Sequence, residues 1–354
     1  MDVTAITNAR VFDGDKLSGP RTVVIDGAVI GDDAATPTRV VDAGGAVLLP
    51  GLIDAHVHLH DRVVLEKLAR HGVTSALDMA TWPPDRLASL REVPGLTDIR
   101  SAGLPAIGPG GIHAQMLGLP PEAIVTEPEQ AEPFVAERVA EGSDYLKIVL
   151  EAPGGGGPEL SAATALVEAA HQAGKRVVAH ATSVAAYEMA MTAGADVITH
   201  SPIGGPLTGD HAERLVAAGR VVIPTLIMMR KVTEQFGRAE GFAGALRSVA
   251  EMHRAGVPVL AGTDSANAVP GMAFQVNHGE SIHEELALLV EAGLTTVAAL
   301  RAATELPARY FGLADRGRVA AGLRADLLLV DGDPLADITA TRNVVRVWCG
   351  GVEV

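Results

Sequence analysis

From residue 51 onward, short apolar runs alternate with amphipathic stretches, and this rhythm constrains the fold more than any other feature of the sequence. Eight apolar runs follow one another: Leu52–His58, Thr74–Ala80, Ile99–Ile107, Tyr145–Leu150, Arg176–His180, Val197–His200, Val221–Leu226 and Val257–Thr263. The stretches between them include predicted helices at Ser161–Ala173 and Ala239–Ala255, each followed by a glycine. Eight βα units in series favour a closed barrel over an open sheet. We therefore predict a (β/α)8 TIM barrel over residues 51–311.

The two ends of the chain have a different pattern. Three short β segments precede the barrel, at Val3–Phe12, Thr22–Ile30 and Arg39–Leu49. After two further predicted helices, Ala325–Val330 and Val344–Cys349 return to β character. We predict that residues 1–50 and 312–354 form one small β-sandwich built from both chain termini.

Composition and charge limit the classes of partner. The chain has 28 Lys and Arg residues against 43 Asp and Glu, a formal net charge of −15, and no basic stripe, so nucleic acid is not expected as a partner. Cys349 is the only cysteine, which excludes an internal disulfide and a thiolate metal cluster and fits a reducing cytoplasm. No signal peptide or membrane-spanning stretch is evident. We expect a cytoplasmic protein with a small-molecule substrate and no membrane partner; a homo-oligomer is compatible with the sequence.

The sharpest motif is Asp54-Ala-His56-Val-His58, at the end of the first barrel strand. Alternate side chains of a strand point to the same side, so His56 and His58 can face inward together and share a metal ion. An isolated pair of this kind is more often packed in a core or exposed in a loop. In barrel enzymes, however, the catalytic face lies at the C-terminal ends of the strands, where this pair falls. Its position therefore makes metal binding a serious hypothesis.

Four further strands carry a polar side chain at or near their C-terminal ends. Lys147 lies in the apolar run Tyr-Leu-Lys-Ile-Val-Leu, His180 and His200 each end a run, and Asp264 closes Val-Leu-Ala-Gly-Thr-Asp. A charged lysine or aspartate buried in a barrel is costly without a partner. Each residue alone could be a satisfied structural polar group. Their joint placement predicts a single shared site.

With these residues in place, the chain closely resembles the amidohydrolase superfamily, specifically its imidazolonepropionase-like and Xaa-Pro-dipeptidase-like members. Val41-Asp-Ala-Gly-Gly through Pro50-Gly-Leu-Ile-Asp-Ala-His-Val-His is typical of the segment that leads into the barrel in this superfamily. The ending matches as well, with Ala302-Ala-Thr-Glu-Leu-Pro-Ala-Arg and Arg324-Ala-Asp-Leu. The resemblance covers almost the whole chain. It implies the same barrel and terminal β-sandwich, and a hydrolase with two divalent metal ions.

The resemblance also implies a role for each candidate ligand. The more buried ion would be bound by His56, His58 and Asp264, and the second by His180 and His200. Lys147 would be carboxylated, and its carbamate would bridge the two ions. An unmodified ammonium group would be repelled by them, at about 4 kcal/mol per charge pair at ~4 Å and an effective dielectric of about 20. The alternative is a neutral or salt-bridged structural Lys147, with a single metal ion held elsewhere.

The donor set and the resemblance together indicate a chemistry. Imidazole and carboxylate ligands without thiolate suit Zn²⁺ best, with Mn²⁺, Co²⁺ or Fe²⁺ as alternatives. Two ions ~3.5–4 Å apart can share a water molecule and lower its pKa towards about 7. A metal-bridging hydroxide would then attack a carbonyl carbon, and Asp264 would pass the proton to the leaving group.

Three residues are candidates for substrate binding. His113 follows the glycine-rich Gly108-Pro-Gly-Gly, and a histidine near this point contacts the substrate carbonyl or carboxylate in relatives; an exposed loop histidine is an equal alternative. Arg230 could hold a substrate carboxylate, although a surface ion pair is slightly favoured. Tyr145 lies two residues before Lys147 and could instead fill the lower layer of the barrel.

Other loop residues receive weaker interpretations. His60, Glu151 and His278 could line the pocket, but a position without function is preferred for each. Gly154-Gly-Gly-Gly157 lacks the Lys-Ser/Thr ending of a P-loop and is interpreted as a mobile loop over the site, a candidate lid.

The preferred function is hydrolysis of an amide bond in an N-acyl amino acid, a dipeptide or a cyclic amide. Lactone or carboxyl-ester cleavage is the nearest alternative, because attack on a carbonyl carbon is common to all of these reactions. A non-hydrolytic, metal-dependent lyase reaction stays open, since barrels support many chemistries. With only three tyrosines and two tryptophans, the chain favours a small or flexible aliphatic substrate.

Overall fold

The structure is a computed structural model that describes residues 3–32, 36–116, 118–268 and 271–354. Residues 1, 2 and 33–35 of the predicted terminal segment 1–50 therefore lie outside the described residues. The N-terminal strands are β1 (Val3–Phe12), β2 (Leu17–Asp26), β3 (Val29–Ile30), β4 (Arg39–Asp42) and β5 (Val47–Pro50). β1 pairs antiparallel with β2 and parallel with β4 and β5, so it is the central strand of this region.

Seven parallel strands follow, and they correspond to the first seven predicted runs. One sheet contains β6 (Leu52–Val57), β7 (Val73–Asp78) and β8 (Asp98–Ser101). A second contains β9 (Leu146–Val149), β10 (Val177–His180), β11 (Val197–Thr199) and β12 (Val221–Ile223). Nearly every residue of these strands is buried, as expected for parallel strands covered on both faces.

Backbone hydrogen bonds join the two parallel sheets on both sides. On one side, the Ala106 amide donates to the carbonyl oxygen of Lys147 at 2.8 Å, next to a parallel bridge from Ala106 to Ile148. On the other side, single parallel bridges connect Val259 to Val222 and Ser265 to Val57. The arrangement is a TIM-barrel-like α/β fold.

Two predicted strands differ from the observed ones because the two runs contain glycine and proline residues. The third run, predicted over Ile99–Ile107, ends as a strand at Ser101, because Gly103 has a φ of 65° and Pro105 cannot donate a hydrogen bond. The eighth, predicted over Val257–Thr263, forms isolated bridges instead of a continuous strand. It contains Pro258, and a Cβ on Gly262 would lie 2.9 Å from the backbone nitrogen of His56.

Helices follow most of the parallel strands and pack on them through a continuous apolar core that includes Leu65, Leu166 and Leu286. Their bounds are α1 (Arg62–Arg70), α2 (Pro84–Leu90), α3 (Ile112–Met116), α4 (Ala131–Ala140), α5 (Leu160–Gln172), α6 (Val184–Ala193), α7 (Gly209–Ala217), α8 (Leu226–Gln235), α9 (Ala239–Ala255), α10 (Ser281–Glu291), α11 (Thr296–Ala302) and α12 (Glu305–Tyr310). The predicted helices at α5 and α9 agree with these bounds to within one residue. Among the described helices, none has both the length and the apolar character needed to cross a bilayer.

The C-terminal strands return to the N-terminal ones. β13 (Leu327–Val330) pairs antiparallel with β5 and with β14 (Val344–Cys349), which in turn pairs with β15 (Val352–Glu353). Both chain ends thus share one mixed sheet of order β15-β14-β13-β5-β1-β2-β3, with β4 on β1. Ile6, Leu327 and Trp348 belong to an apolar cluster within this sheet, and Leu328 and Val347 join the main core.

Candidate metal centre

The C-terminal ends of the parallel strands bring the predicted ligands together. Asp264 Oδ1 lies 3.3 Å from His56 Nε2 and 3.0 Å from His58 Nε2. Asp264 Oδ2 lies 3.7 Å from His200 Nδ1. The ring of His200 has its centroid 4.9 Å from that of His56 and 4.3 Å from that of His180. Five residues from four separate segments of the chain therefore form one continuous cluster.

Three of the histidines in the cluster, His56, His180 and His200, are in the form that binds metal ions. Burial lowers the pKa of His56 to about 3 and the pKa values of His180 and His200 well below their usual range. These three rings are therefore neutral at pH 7, with a lone pair available for a cation. Burial raises the pKa of Asp264, but the neighbouring His56 and His58 outweigh it and hold that pKa well below its usual range. The cluster thus combines neutral imidazoles with one carboxylate anion.

Two threonines orient the rings. His56 Nδ1 lies 2.6 Å from Thr199 Oγ1, and His200 Nδ1 lies 2.8 Å from Thr225 Oγ1. When Nδ1 of a histidine is held in this way, its Nε2 is directed towards a ligand. The two threonines therefore act as the outer partners that metal-binding histidines usually have.

The backbone around the cluster is strained. Five non-glycine residues have a positive φ in the described part of the chain, and three of them are His200, Thr225 and Asp264, at 75°, 48° and 58°. Such conformations are disfavoured for residues with a Cβ, and they concentrate at functional sites. The strain falls on two predicted ligands and on the threonine that orients one of them.

Asp54 stabilises the backbone next to the cluster, although no separate role for it is predicted from the sequence. Its carboxylate accepts hydrogen bonds from Thr263 Oγ1 at 2.6 Å, from the Thr263 amide at 2.9 Å and from the His56 amide at 3.2 Å. Burial raises the pKa of Asp54 to about 7. The residue ties β6 to the segment that carries Asp264.

Lys147 is a buried polar group of the centre. Its side chain is 3% exposed, and its Nζ has no hydrogen-bond partner among the residues that the structure describes. Burial lowers the pKa of Lys147 to about 7, so a substantial fraction of the amine is neutral near pH 7. A neutral amine is the form that reacts with carbon dioxide. The chemistry of this residue therefore fits a carbamate that binds metal ions.

His113 packs against the cluster, and Glu151 lies beside His113. The rings of His113 and His180 are T-shaped, with centroids 4.7 Å apart. His113 Nδ1 lies 3.6 Å from Glu151 Oε1. A position without function is preferred for Glu151 from the sequence, yet the structure places its carboxylate beside His113, a predicted substrate-binding residue.

The other two candidates for substrate contact lie elsewhere. Arg230, on α8, forms an ion pair with Glu284 and lies 3.8 Å from Glu234, which matches the surface alternative. The Tyr145 hydroxyl donates to the carbonyl oxygens of Asp78 and Arg100, at 2.8 and 3.2 Å, and its ring packs on Phe311. Tyr145 therefore occupies an interior layer, and the structure brings neither side chain into the cluster.

One buried glutamate was not among the functional residues predicted from the sequence. Glu285, on α10, accepts hydrogen bonds from the amides of Leu226 and Ile227 at 3.0 and 2.8 Å, and so caps the helix that follows Thr225. Burial raises the pKa of Glu285 to about 8. The sequence signal that could have indicated its burial is its apolar surroundings, since Glu285 is adjacent to Leu286 within an apolar helix face.

Comparisons with known proteins agree with this architecture. The model of the amidohydrolase family matches residues 47–354. An uncharacterised protein of Mycobacterium tuberculosis (strain H37Rv) is 31% identical over 344 residues, which cover 88% of this chain and 85% of the relative. The adenine deaminase of Methylobacterium sp. (strain 4-46) is 28% identical over 365 residues, and the match covers 98% of this chain but 57% of the deaminase.

Solved structures have the same fold. The crystal structure of a Xaa-Pro dipeptidase with methionine bound in its active site superposes with a TM-score of 0.86 over 100% of both chains, at 23% identity. That identity supports the fold alone. The family match, by contrast, spans most of the sequence and includes every predicted metal ligand. The chain therefore belongs to the amidohydrolase family, a family of hydrolases that act on carbon–nitrogen bonds.

Proposed function

We propose that the protein is a metal-dependent hydrolase that cleaves an amide bond in an N-acyl amino acid, a dipeptide or a cyclic amide. The observation that carries the proposal is the cluster itself, in which neutral buried histidines surround the Asp264 carboxylate. The names of two relatives point the same way, because a dipeptidase and an adenine deaminase both break a carbon–nitrogen bond.

The cluster would hold two divalent ions, Zn²⁺ being the best match to its donors and Mn²⁺, Co²⁺ or Fe²⁺ the alternatives. In the arrangement implied by the family, the ligands are His56, His58 and Asp264 for one ion and His180 and His200 for the other, with carboxylated Lys147 between them. The Nζ of Lys147, which has no hydrogen-bond partner among the described residues, supports this role, since a carbamate would give the buried side chain strong partners. When bound, the ions would supply a water molecule of lowered pKa and a Lewis acid for the carbonyl oxygen.

The side chains of the protein would then transfer the proton and hold the ligands in position. Asp264 is an anion at pH 7 and can hold the proton of the attacking water. Its Oδ2 has the longer contact, 3.7 Å to His200, and so is the freer oxygen for passing that proton to the leaving nitrogen. Thr199 and Thr225 keep the histidine rings fixed while this happens.

We infer an eight-stranded closed barrel over residues 51–311, supported by the bridges that join the two parallel sheets, and a terminal β-sandwich from residues 1–50 and 312–354, supported by their shared apolar cluster. A cytoplasmic location, a small-molecule substrate without nucleic-acid or membrane partners, and a homo-oligomer complete the proposal. A net charge of −15 supports the absence of a nucleic-acid partner.

The test is a substrate screen on full-length protein that has been stripped of metal and reloaded with Zn²⁺ in the presence of bicarbonate. We expect hydrolysis of at least one class among N-acyl amino acids, Xaa-Pro dipeptides and lactams, lost on metal removal. Lactones, carboxyl esters and adenine are screened in parallel. Activity on esters alone would replace the amide by an ester substrate, and a fully metallated protein without hydrolytic activity would contradict the proposal in favour of a lyase.

A further inference from the structure

Thr225, the residue that precedes α8, does not cap this helix in the usual way. A threonine at this position normally has an extended backbone, and its hydroxyl oxygen accepts a hydrogen bond from an amide of the first helical turn. Thr225 instead has a φ of 48° and a ψ of 49°, and its side chain accepts no hydrogen bond from the first-turn amides, all of which the structure describes. Its Oγ1 lies 2.8 Å from His200 Nδ1. The hydroxyl of Thr225 therefore serves the ring of His200 and leaves α8 uncapped.

Glu285, on α10, supplies the missing cap. Its Oε1 accepts a hydrogen bond from the Leu226 amide at 3.0 Å, and its Oε2 accepts one from the Ile227 amide at 2.8 Å. Leu226 and Ile227 are the first two residues of α8, and amides at this position have no partner within their own helix. A carboxylate at a helix N-terminus is also stabilised by the helix dipole. Glu285 therefore takes the place of the threonine side chain as the cap of α8.

The position of Glu285 is costly for a capping group. Its side chain is 0% exposed, and removing a carboxyl group from water is unfavourable. A threonine hydroxyl caps a helix without a buried charge, so an extended Thr225 would be the less costly solution. In that conformation, however, the hydroxyl would point to the amides of α8 and His200 Nδ1 would lose its partner. The buried carboxyl group is thus accounted for by the contact between Thr225 and His200.

The backbone of His200 is fixed without any help from Thr225. The His200 amide donates to the carbonyl oxygen of Ile223 at 2.8 Å, and the Tyr187 hydroxyl donates to the carbonyl oxygen of His200 at 2.6 Å. The ring of His200, by contrast, has a single hydrogen bond to the described residues, the one to Thr225 Oγ1. Loss of that contact should therefore alter the orientation of the ring and leave the backbone of the strand end in place.

We propose that Glu285 is a positioning residue of the metal centre. By capping α8 in place of Thr225, it keeps the Thr225 hydroxyl on His200 Nδ1, which leaves Nε2 of that ring for a cation. The inference rests on the proposed function, because it takes His200 as a metal ligand. Glu285 itself contacts neither an ion nor a substrate and acts only through Thr225. The residues that control the centre thus extend from the ends of the barrel strands to α10.

The test is a double-mutant cycle on full-length protein, with zinc affinity measured by calorimetric titration after metal removal. Glu285→Gln keeps the size of the side chain but replaces one amide-accepting oxygen by an NH₂ donor. Thr225→Val removes the hydroxyl that holds His200. Each single variant should weaken zinc binding at least tenfold, as is typical when a metal-binding histidine loses its outer partner.

The double variant decides whether Glu285 acts through Thr225. In the Thr225→Val background, Glu285→Gln should change the affinity of the weakened zinc-binding step by less than twofold, because the contact that it controls is already absent. An equal loss of affinity in both backgrounds would overturn the inference. Glu285→Asp, which retains the carboxylate on a shorter side chain, takes the place of Glu285→Gln in the cycle if the latter does not fold, and the same results are expected.

Two control variants separate positioning from stability. Glu284→Gln changes the neighbouring glutamate of α10, which pairs with Arg230, and should bind zinc as wild type does. Thr295→Val removes the hydroxyl that caps α11 through the Ala298 amide, so it should lower the free energy of unfolding without changing zinc affinity. A wild-type protein that binds no zinc would overturn the proposed function and the inference with it. Wild-type binding that Glu285→Gln leaves unchanged would overturn the inference alone.

Discussion

Two sets of residues meet at the candidate metal centre, and different parts of the chain build them. The first set is His56, His200 and Asp264, and the second is His113, Glu151 and His180. In the first, His56 lies within β6, His200 directly follows β11, and threonine hydroxyls hold both rings. In the second, only His180 belongs to a strand; His113 lies on the five-residue α3 and Glu151 on the loop after β9. His56 is 1% exposed, against 22% for His113. The first set is thus organised by the barrel, and the second by contacts between loops.

The largest expected effect concerns the carboxylate of the first set. Asp264→Asn keeps the size of the side chain but removes the proton acceptor, so kcat should fall by about 10²–10⁴-fold. The measurement is steady-state kinetics on protein whose zinc content has been determined, so that loss of metal and loss of chemistry are separated. A fall of less than tenfold in fully metallated protein would show that Asp264 does not carry the proton.

A smaller effect tests whether the first set depends on its outer partners. Thr199→Val removes the hydroxyl that holds His56 Nδ1, and loss of such a partner typically weakens metal binding by about 10–100-fold. Calorimetric titration of metal-free protein with Zn²⁺ measures the weakening, with wild type as the reference. Zinc affinity equal to that of wild type would mean that Thr199 does not orient His56 for metal binding.

Lys147, whose Nζ has no hydrogen-bond partner among the described residues, should make the free energy of unfolding of metal-free, carbonate-free protein depend on pH. Burial lowers its pKa from 10.5 to about 7. Between pH 7 and about pH 10 the unfolded chain therefore binds more protons than the folded one. Because of this difference, the amount by which Lys147 destabilises the folded state declines as the pH rises. Lys147→Met should therefore be more stable than wild type near pH 7, and this advantage should shrink by about 1.4 kcal/mol per pH unit on the way to pH 10. Urea unfolding of both proteins across that range measures it, and a constant difference would argue against a buried, unpaired amine.

The smallest effect is expected outside both sets. Because Arg230 pairs with Glu284 at the surface, Arg230→Gln should leave KM unchanged and alter the free energy of unfolding by no more than about 1 kcal/mol. Kinetics with the best substrate from the screen, together with thermal unfolding, check this. A rise in KM of tenfold or more would return Arg230 to the role of a carboxylate-binding residue.

The sequence predicts the histidines at the ends of the barrel strands well, because the strands position them. Side chains at the C-terminal ends of parallel strands must converge, so the positions of His56, His180 and His200 follow from periodicity once the strands are recognised. The family resemblance supplies the roles. Helix spacing likewise predicts α5 and α9 to within one residue.

The two loop residues of the second set, His113 and Glu151, could not be predicted in the same way. Glu151 and His113 are 38 positions apart on loops, and their approach depends on backbone contacts that only Gly108 and Gly156 permit. Periodicity carries no information about such contacts, and a run of glycines is as typical of a mobile loop as of a tightly packed one. The cap that Glu285 provides to α8 was missed for a related reason, since it joins two helices through the interior.

Anomalous diffraction at the zinc edge, on crystals of full-length protein grown with Zn²⁺ and bicarbonate, tests the proposed metal centre most directly. The proposal predicts one peak about 2.0–2.2 Å from ligand atoms of His56, His58 and Asp264, and another at the same distance from those of His180 and His200. A map without a peak at these residues would contradict it.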